Sequence, residues 1–486
     1  MTRRTVSPLA LIVLLALPAS SAIAQGGRFD LEKTKAVLPT LIERTLADNG
    51  IPSMSIVLVR GDSIVWKAAF GYANMRTHTP ATTETIYSTG SSFKSVTATA
   101  LMQLVEHGKL KLDDPINNYL GDDKVQDRLQ SEKPVTFTHL LSHWSGLISG
   151  AEVEPLWGRK LPKTLEEFTS KLYSIRAPET KYQYNNWAYG TAGLLVQKIS
   201  GVEYEKYMVE NVLKPLGATT PHPVYPSPEM VEMIALPYKA GGSLGKPVPE
   251  VQVHFDVYPA GDIYLRAEDM ARYLGAQING GVFNGQRILS EESVREMHTP
   301  RFGGDYGFGF WMVHDSATGH TLIHHGGAIG GQRAFLIGDL DAHVGVYYMS
   351  NSDYLPDAAP PAWSEITDAA LKLLRGEDYV VRPERKGITV DEKVLNSYVG
   401  TYDIGTAPRT GMYDLGPGTI VISRVGRALA IQQNGQPAKY ELLAETPVRF
   451  FQRGSNVTLS FEGDGGTIDR LVREVGNQRR TATRRK

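Results

Sequence analysis

In "STGSSFKSVTATALMQ", residues 88–103, four serines crowd around one lysine and an apolar pattern comes at once after them. A serine hydroxyl becomes a nucleophile only beside a group able to take its proton, and an uncharged amine is such a group. Ser91 and Lys94 stand three apart, so on a helix they share a face, one turn from each other. Ser92 and Ser95 fall on other faces, and Ser88 lies ahead of the helix, so spacing selects Ser91 and Lys94. A helix cap with a solvated lysine would use the same letters without chemistry. The residues after Lys94 argue against that: Val96, Ala98, Ala100, Leu101, Met102, Leu104 and Val105 make the helix apolar nearly all round, up to a stop at Gly108. Such a helix is buried, which sets a first-turn lysine at the edge of a core, facing a cleft.

Two later motifs could complete a site for acyl transfer. In "YNN", Tyr184 and Asn186 are two apart, so on an extended or looping backbone a phenol and an amide point the same way. In "HGGA", His325 to Ala328, a histidine and two glycines sit on an expected strand. Gly326 and Gly327 remove side chains there and let a substrate backbone lie against the strand edge. Two decoys share these spellings. "SLGK" places Ser243 and Lys246 among glycines and prolines, where no helix holds the pair. "YAN", Tyr72 to Asn74, ends a strand and precedes the nucleophile.

Ser-x-x-Lys, Tyr-x-Asn and His-x-Gly in this order resemble the serine β-lactamase and penicillin-binding-protein superfamily, on its class C β-lactamase, D-peptidase and family VIII esterase side. "HLLSHWSGL", "YGFGFW" and "PAGDIYLRAEDMARYL" resemble phrases usual there, and the likeness covers roughly residues 30–375. It implies Ser91 as the acylated nucleophile, with Lys94 and Tyr184 sharing the proton transfers and the principal base left open between them. It further implies that Asn186 holds a substrate amide and orients Lys94. The backbone N–H groups of Ser91 and Ala328 form the implied oxyanion hole. His325, Gly326 and Gly327 line the substrate. Many β-lactamases carry lysine where this chain has His325; a mostly neutral histidine is typical of secreted D-peptidases and some esterases. The function so implied is an exported serine hydrolase of small amides or esters, D-amino-acid peptides among them. A carboxylesterase and a class C-like β-lactamase are the alternatives, and from another class a penicillin-binding sensor that is acylated without turnover.

The expected fold is α/β (α+β): an antiparallel sheet with flanking helices and a helical lobe, plus a small C-terminal antiparallel β-barrel resembling lipocalin-like domains. Residues 31–49 pattern as an amphipathic helix, and "MSIVLVRGDSIVWKAAFGYAN" as a hairpin around Gly61-Asp62, which accounts for its "RGD" without adhesion. Residues 138–215 read as mostly helical, 216–260 as proline-rich loop, 266–281 as helix, and "HTLIHHGG", "RAFLIGDL" and "HVGVYYMSN" as strands before a last helix at 361–376. Strands at both ends imply a sheet closed by the two ends of the segment, with a cleft between sheet and lobe. The divisions expected are a signal peptide 1–24, a main domain 25–376, a polar linker 377–392 and a β domain 393–486. The final "RRTATRRK" is expected to fray into solvent.

Lys+Arg 51 against Asp+Glu 52 offers no field for nucleic acid or an acidic membrane surface. Arg3 and Arg4, the apolar run 9–17 and "AIA" at 22–24 read as an export signal cleaved after Ala24, too short to span a bilayer. Its removal leaves 462 of the 486 residues and takes the formal charge from −1 to −3, since it holds two arginines and no acid. A periplasmic or secreted protein without a membrane span is expected. The absence of cysteine excludes thiolate catalysis, disulfides and cysteine-held metals. His324 and His325 face opposite ways on a strand, so with His320 they do not suggest a metal, and no cofactor is expected. His143 and Trp144 are expected to pack beneath the cleft. A small molecule or peptide is the expected substrate.

Overall fold

Helix α1, Leu31–Asn49, starts where the Asp30 carboxylate accepts the N–H groups of Glu32 and Lys33, and stops at Gly50 in the left-handed conformation. Its buried Leu38, Leu41, Ile42 and Leu46 give it an apolar face to lay on a sheet. The computed structural model describes residues 28–485 except 151–152, 156–163, 221–222, 225, 355–363, 406–417, 456, 464–466 and 476–477. The export segment 1–24 and its cleavage point lie outside the described residues.

The sheet opens with a hairpin, β1 (Ser53–Arg60) and β2 (Ser63–Asn74), and the short β3 (Thr79–Pro80). Its other strands come more than 200 residues later: β4 (Trp311–His314), β5 (Thr321–Ile329), β6 (Gln332–Asp339) and β7 (Val344–Ser350). The order is β4-β5-β6-β7-β1-β2-β3, every neighbour antiparallel, so the two ends of the segment close one sheet through Met54↔Ser350 to Arg60↔Val344. Both faces are covered, and β1 is therefore buried almost throughout. Ile56 and Leu58 share a core with α1 and with α5 (Glu365–Leu374), whereas Val57 and Val59 share one with the helical side of the molecule.

Within that side lie α2 (Lys94–Glu106), α3 (Asn186–Ser200) and α4 (Ala267–Ile278), whose residues 94–104, 188–196 and most of 267–278 are buried. The described residues of 138–215 are less helical than the sequence predicts: beside α3 they hold the short helices Phe137–Leu141, Leu165–Thr169 and Tyr204–Met208, the last continuing as π and 3-10 turns to Leu216. Left-handed backbone at His143, Gly146 and Glu179 interrupts the rest, since a right-handed helix cannot pass through such residues.

Eight strands form a closed C-terminal barrel: β8 (Gly400–Gly405), β9 (Gly418–Val425), β10 (Ala428–Gln433), β11 (Lys439–Ala444), β12 (Arg449–Gln452), β13 (Thr458–Glu462), β14 (Arg470–Val475) and β15 (Gln478–Arg484). The basic tail does not fray, contrary to expectation. It is β15, paired with β14 and β8, and Arg484 donates to the carbonyls of Ser397 at 2.9 Å and Val399 at 2.6 Å. Its charge pattern hides a strand, because only the backbone and the buried Ala482 are needed to remove both open edges of the barrel.

Residues 377–390 carry neither helix nor strand, although the Ile388 N–H donates to the Ala444 carbonyl at 2.8 Å and Arg385 pairs with Glu445; the barrel also docks on the 241–244 turn. The Lys439 N–H donates to the Gly241 carbonyl at 2.8 Å, the Leu244 N–H to the Lys439 carbonyl at 2.9 Å, and the Glu441 N–H to Ser243 Oγ at 2.9 Å. At Gly242, φ is +71° and a Cβ would lie 2.5 Å from the Lys439 oxygen. Gly242→Val adds both strain and collision, on the order of 1–3 kcal/mol. Tryptic cleavage at Arg382, Arg385 or Lys386 is expected to rise roughly ten-fold if this seam holds the barrel in place; an unchanged rate would show that it does not.

Candidate active site

The chain enters α2 through one turn of 3-10 helix, Gly90–Phe93, so Ser91 precedes the α-helix rather than opening it. Three residues per turn bring positions i and i+3 directly over one another, which aligns Ser91 with Lys94 more closely than an α-turn would. The neighbouring hydroxyls are occupied: Ser92 Oγ donates to the Thr89 carbonyl at 2.8 Å and meets the Tyr347 hydroxyl at 3.0 Å, and Ser95 Oγ donates to the Ser92 carbonyl at 2.9 Å. Ser91 alone of the group is half-buried and turned to Lys94.

Lys94 is 0% exposed. Its Nζ donates to Ser91 Oγ at 3.0 Å and to the Ala260 carbonyl at 2.6 Å, and no carboxylate is among these partners. Removal from water without a counter-charge holds its pKa well below the usual lysine value. The rings of Tyr184 and Tyr189 flank the amine, with centroids 4.8 Å and 5.7 Å from Nζ. Burial raises the Tyr184 phenol in turn, opposed by its hydrogen bond with Ser91, so amine and phenol are both uncharged around one hydroxyl.

Asn186 does not alternate with Tyr184 along an extended strand, because it is the first residue of α3. Asn185 is the cap: its Oδ1 accepts the Ala188 N–H, and its Nδ2 donates to the carbonyls of Leu147 and Ile148. The Lys94 amine is oriented by the Ala260 carbonyl, not by Asn186 as the resemblance implies, and Asn186 Oδ1 is buried with no hydrogen-bond partner.

His325 is neutral as expected, and burial pushes it down to about 3. Its Nδ1–H donates to the Gly326 carbonyl at 2.6 Å, which leaves Nε2 to accept from the Tyr306 hydroxyl at 3.1 Å. His324 faces the other way, its ring 6.1 Å from that of Phe335, and His320 pairs with Asp339. His143 packs beneath Tyr184 as expected, with ring centroids 4.3 Å apart, and Trp144 packs on Tyr182 and Phe302.

Of the two strand glycines, Gly327 meets the chain itself. A Cβ at Gly327 would lie 2.0 Å from the Thr89 carbonyl oxygen, so its bareness admits the chain's own nucleophile turn. Two glycines that the spacing of motifs leaves unnoticed complete this seam. A Cβ at Gly90, φ +50°, would lie 2.2 Å from the Ala328 nitrogen, and one at Gly261, φ +143°, 2.7 Å from the Ser91 nitrogen. The strip 259–263 also accepts from Thr97 Oγ1 at Pro259 and from the Thr89 N–H at Ile263. Its only signal in the sequence was the phrase "PAGD".

The decoys stay apart from this cluster. Ser243 serves the seam between barrel and turn; Gly241–Gly245 also spells Gly-x-Ser-x-Gly, but no helix comes after it, as a nucleophile elbow requires. Tyr72 is exposed, and Asn74 Oδ1 accepts the Arg76 N–H.

Residues 38–371 match the Beta-lactamase family. PbpX of Bacillus subtilis (strain 168) is 31% identical over 272 residues, 56% of this chain. The match spans only 65% of PbpX itself. Among solved structures, the octameric penicillin-binding protein homologue from Pyrococcus abyssi covers 92% of this chain and 99% of its own, with a TM-score of 0.58 at 24% identity. D-amino acid amidase from Ochrobactrum anthropi SV3 covers 66% of this chain and 92% of its own, with a TM-score of 0.55 at 22% identity. Both structural likenesses speak to the fold.

The burial of Lys94 has a measurable sign. Its folded pKa lies below 10.5, so between the two values the unfolded chain holds one more proton and the folded chain gains stability as pH rises. Methionine holds no such proton. Lys94→Met is therefore expected to gain most over the parent at acid pH, with the gain shrinking toward pH 10.5. Urea midpoints of the two proteins at several pH values test this, and a difference independent of pH would mean that the amine keeps its proton in the fold.

Proposed function

Because this chain belongs to the Beta-lactamase family, we propose that it is an exported serine hydrolase that cleaves small amides or esters, D-amino-acid peptides among them, through a Ser91 acyl-enzyme. One observation carries the reading: a wholly buried amine without a counter-charge, 3.0 Å from a serine oxygen. An uncharged amine has a lone pair, and at that distance it can accept the Ser91 proton. As Oγ bonds to the substrate carbonyl carbon, the proton passes to Lys94 and negative charge moves to the carbonyl oxygen. The N–H groups of Ser91 and Ala328, brought together along the glycine seam, are the donors for that oxygen.

When the scissile bond breaks, the leaving nitrogen or oxygen takes a proton from the Tyr184 hydroxyl, which Lys94 restores. Water then attacks the acyl carbon, yields a proton through the same groups, and releases the acid and free Ser91. The raised phenol keeps its proton at rest, so in this reading Tyr184 holds the proton for the leaving group and Lys94 is the resting base. The ammonium formed in passing faces the rings of Tyr184 and Tyr189.

Neutral His325 offers no fixed charge to a substrate carboxylate, which favours neutral amides and esters over β-lactams. The buried, unpartnered Asn186 Oδ1 is an acceptor left for a substrate N–H, and the likeness in fold to a D-amino acid amidase supports the amide side of the range.

A fluorophosphonate is expected to label Ser91. Ser91→Ala should lose the label and at least ~10³-fold of hydrolysis, whereas Ser243→Ala should keep both. Labelling that survives Ser91→Ala would end the assignment. Among p-nitrophenyl butyrate, D-alanine p-nitroanilide and nitrocefin, nitrocefin is expected to be slowest. Nitrocefin as the fastest would make the protein a β-lactamase, and a stable penicillin adduct with no turnover of any of the three would make it a sensor.

A further inference from the structure

Tyr184 stands in a stretch without helix or strand, yet its phenol must be held against a single hydroxyl. The residues on either side of it hang on one side chain and its backbone. The Gln183 N–H donates to the His143 carbonyl at 2.9 Å, and the Asn185 N–H donates to His143 Nδ1 at 3.1 Å. The imidazole also lies under the phenol, with ring centroids 4.3 Å apart, and against Tyr306 and Tyr189 at 4.7 Å and 5.1 Å. His143 makes these contacts at φ 66°, a left-handed conformation that histidine seldom adopts. Backbone strain of this kind persists where the surroundings enforce it and gathers at functional sites.

The hydrogen bonds settle the tautomer. An Nδ1 that accepts a backbone N–H carries no proton, so the proton is on Nε2, which is buried without an acceptor. Burial and the nearby Lys94 keep the ring from charging. A charged ring would lose the Asn185 bond and oppose the ammonium that forms on Lys94.

We propose that His143 is a positioning residue of this reaction, which as a neutral imidazole fixes the Tyr184 hydroxyl on the line between Ser91 and the leaving group. The proposal rests on the reading of Ser91 as the acylated nucleophile. It assigns His143 no contact with substrate.

Two variants separate position from packing. Gly tolerates the left-handed backbone but brings neither acceptor nor ring. Asn tolerates it too, and its Oδ1 can take the place of Nδ1. A misplacement of about 1 Å costs on the order of 10²-fold, and here it falls on protonation of the leaving group. With ethyl butyrate, whose leaving group needs a proton, kcat of His143→Gly is expected to fall ~100-fold at little-changed KM. With p-nitrophenyl butyrate, whose leaving group needs none, the fall should be within ~10-fold. Tyr184→Phe should show the same contrast between substrates, and His143→Asn should recover about ten-fold of the lost ethyl butyrate rate.

Equal losses on both esters, or His143→Asn no better than His143→Gly at equal thermal midpoints, would overturn the proposal. If the glycine variant does not fold, the contrast between the two esters in His143→Asn against the parent decides. Hydrolysis that persists in Ser91→Ala would instead overturn the acyl-enzyme reading itself.

Discussion

The site depends on keeping one amine out of water without giving it a carboxylate. A buried lysine is tolerated when it is neutral, and a neutral lysine needs acceptors rather than charges. The Ala260 carbonyl supplies one, and two tyrosine rings supply a polarisable wall. The surroundings answer that demand. Helix α2 is buried from Lys94 through Leu104, so no water reaches the amine from its own helix. Every ionisable ring close by is uncharged: Tyr184, Tyr189 and Tyr306 are raised by burial, and His143 and His325 are lowered by it.

A second constraint is how closely three stretches of backbone approach. Strand β4 pairs with only Thr321 to His324 of β5, so the edge of β5 from His325 onward is free of a strand partner on that side. The nucleophile turn lies against this edge, and the strip 259–263 against the turn. Bare Cα atoms at Gly90, Gly261 and Gly327 make the fit possible, since a methyl group at any of them would meet backbone at 2.0–2.4 Å. The two N–H groups proposed for the oxyanion hole belong to segments more than 200 residues apart in the chain, and this seam is what joins them.

The barrel reaches the same region indirectly. Its strand β11 bonds the 241–244 turn, and the adjoining Tyr238 N–H donates to the Gly331 carbonyl, at the β5–β6 turn just past Ala328. Gln332, the first residue of β6, accepts the Ser88 N–H through its amide oxygen at 2.6 Å. The docking of a separate β unit thus ends on the strand and the turn that flank Ser91.

Much of this protein was legible in its sequence. Spacing within one helical turn selected Ser91 and Lys94 over the other serines, and alternation and turn residues drew the hairpin, the long helices and a small antiparallel barrel at the C-terminus. These features are local, acting through bonds and contacts between residues a few positions apart. The partner of the Lys94 amine was not legible, because Ala260 lies 166 residues away and any residue type can offer a carbonyl. Nor was the work of Asn185 rather than Asn186 as the cap, which depends on the exact residue at which α3 begins. The basic terminus read as solvated because its charges are visible in the sequence and its backbone partners are not. The order of residues therefore determined which groups stand ready to react; only the tertiary structure decided their protonation and their company, because desolvation and strand closure belong to what packs around a residue.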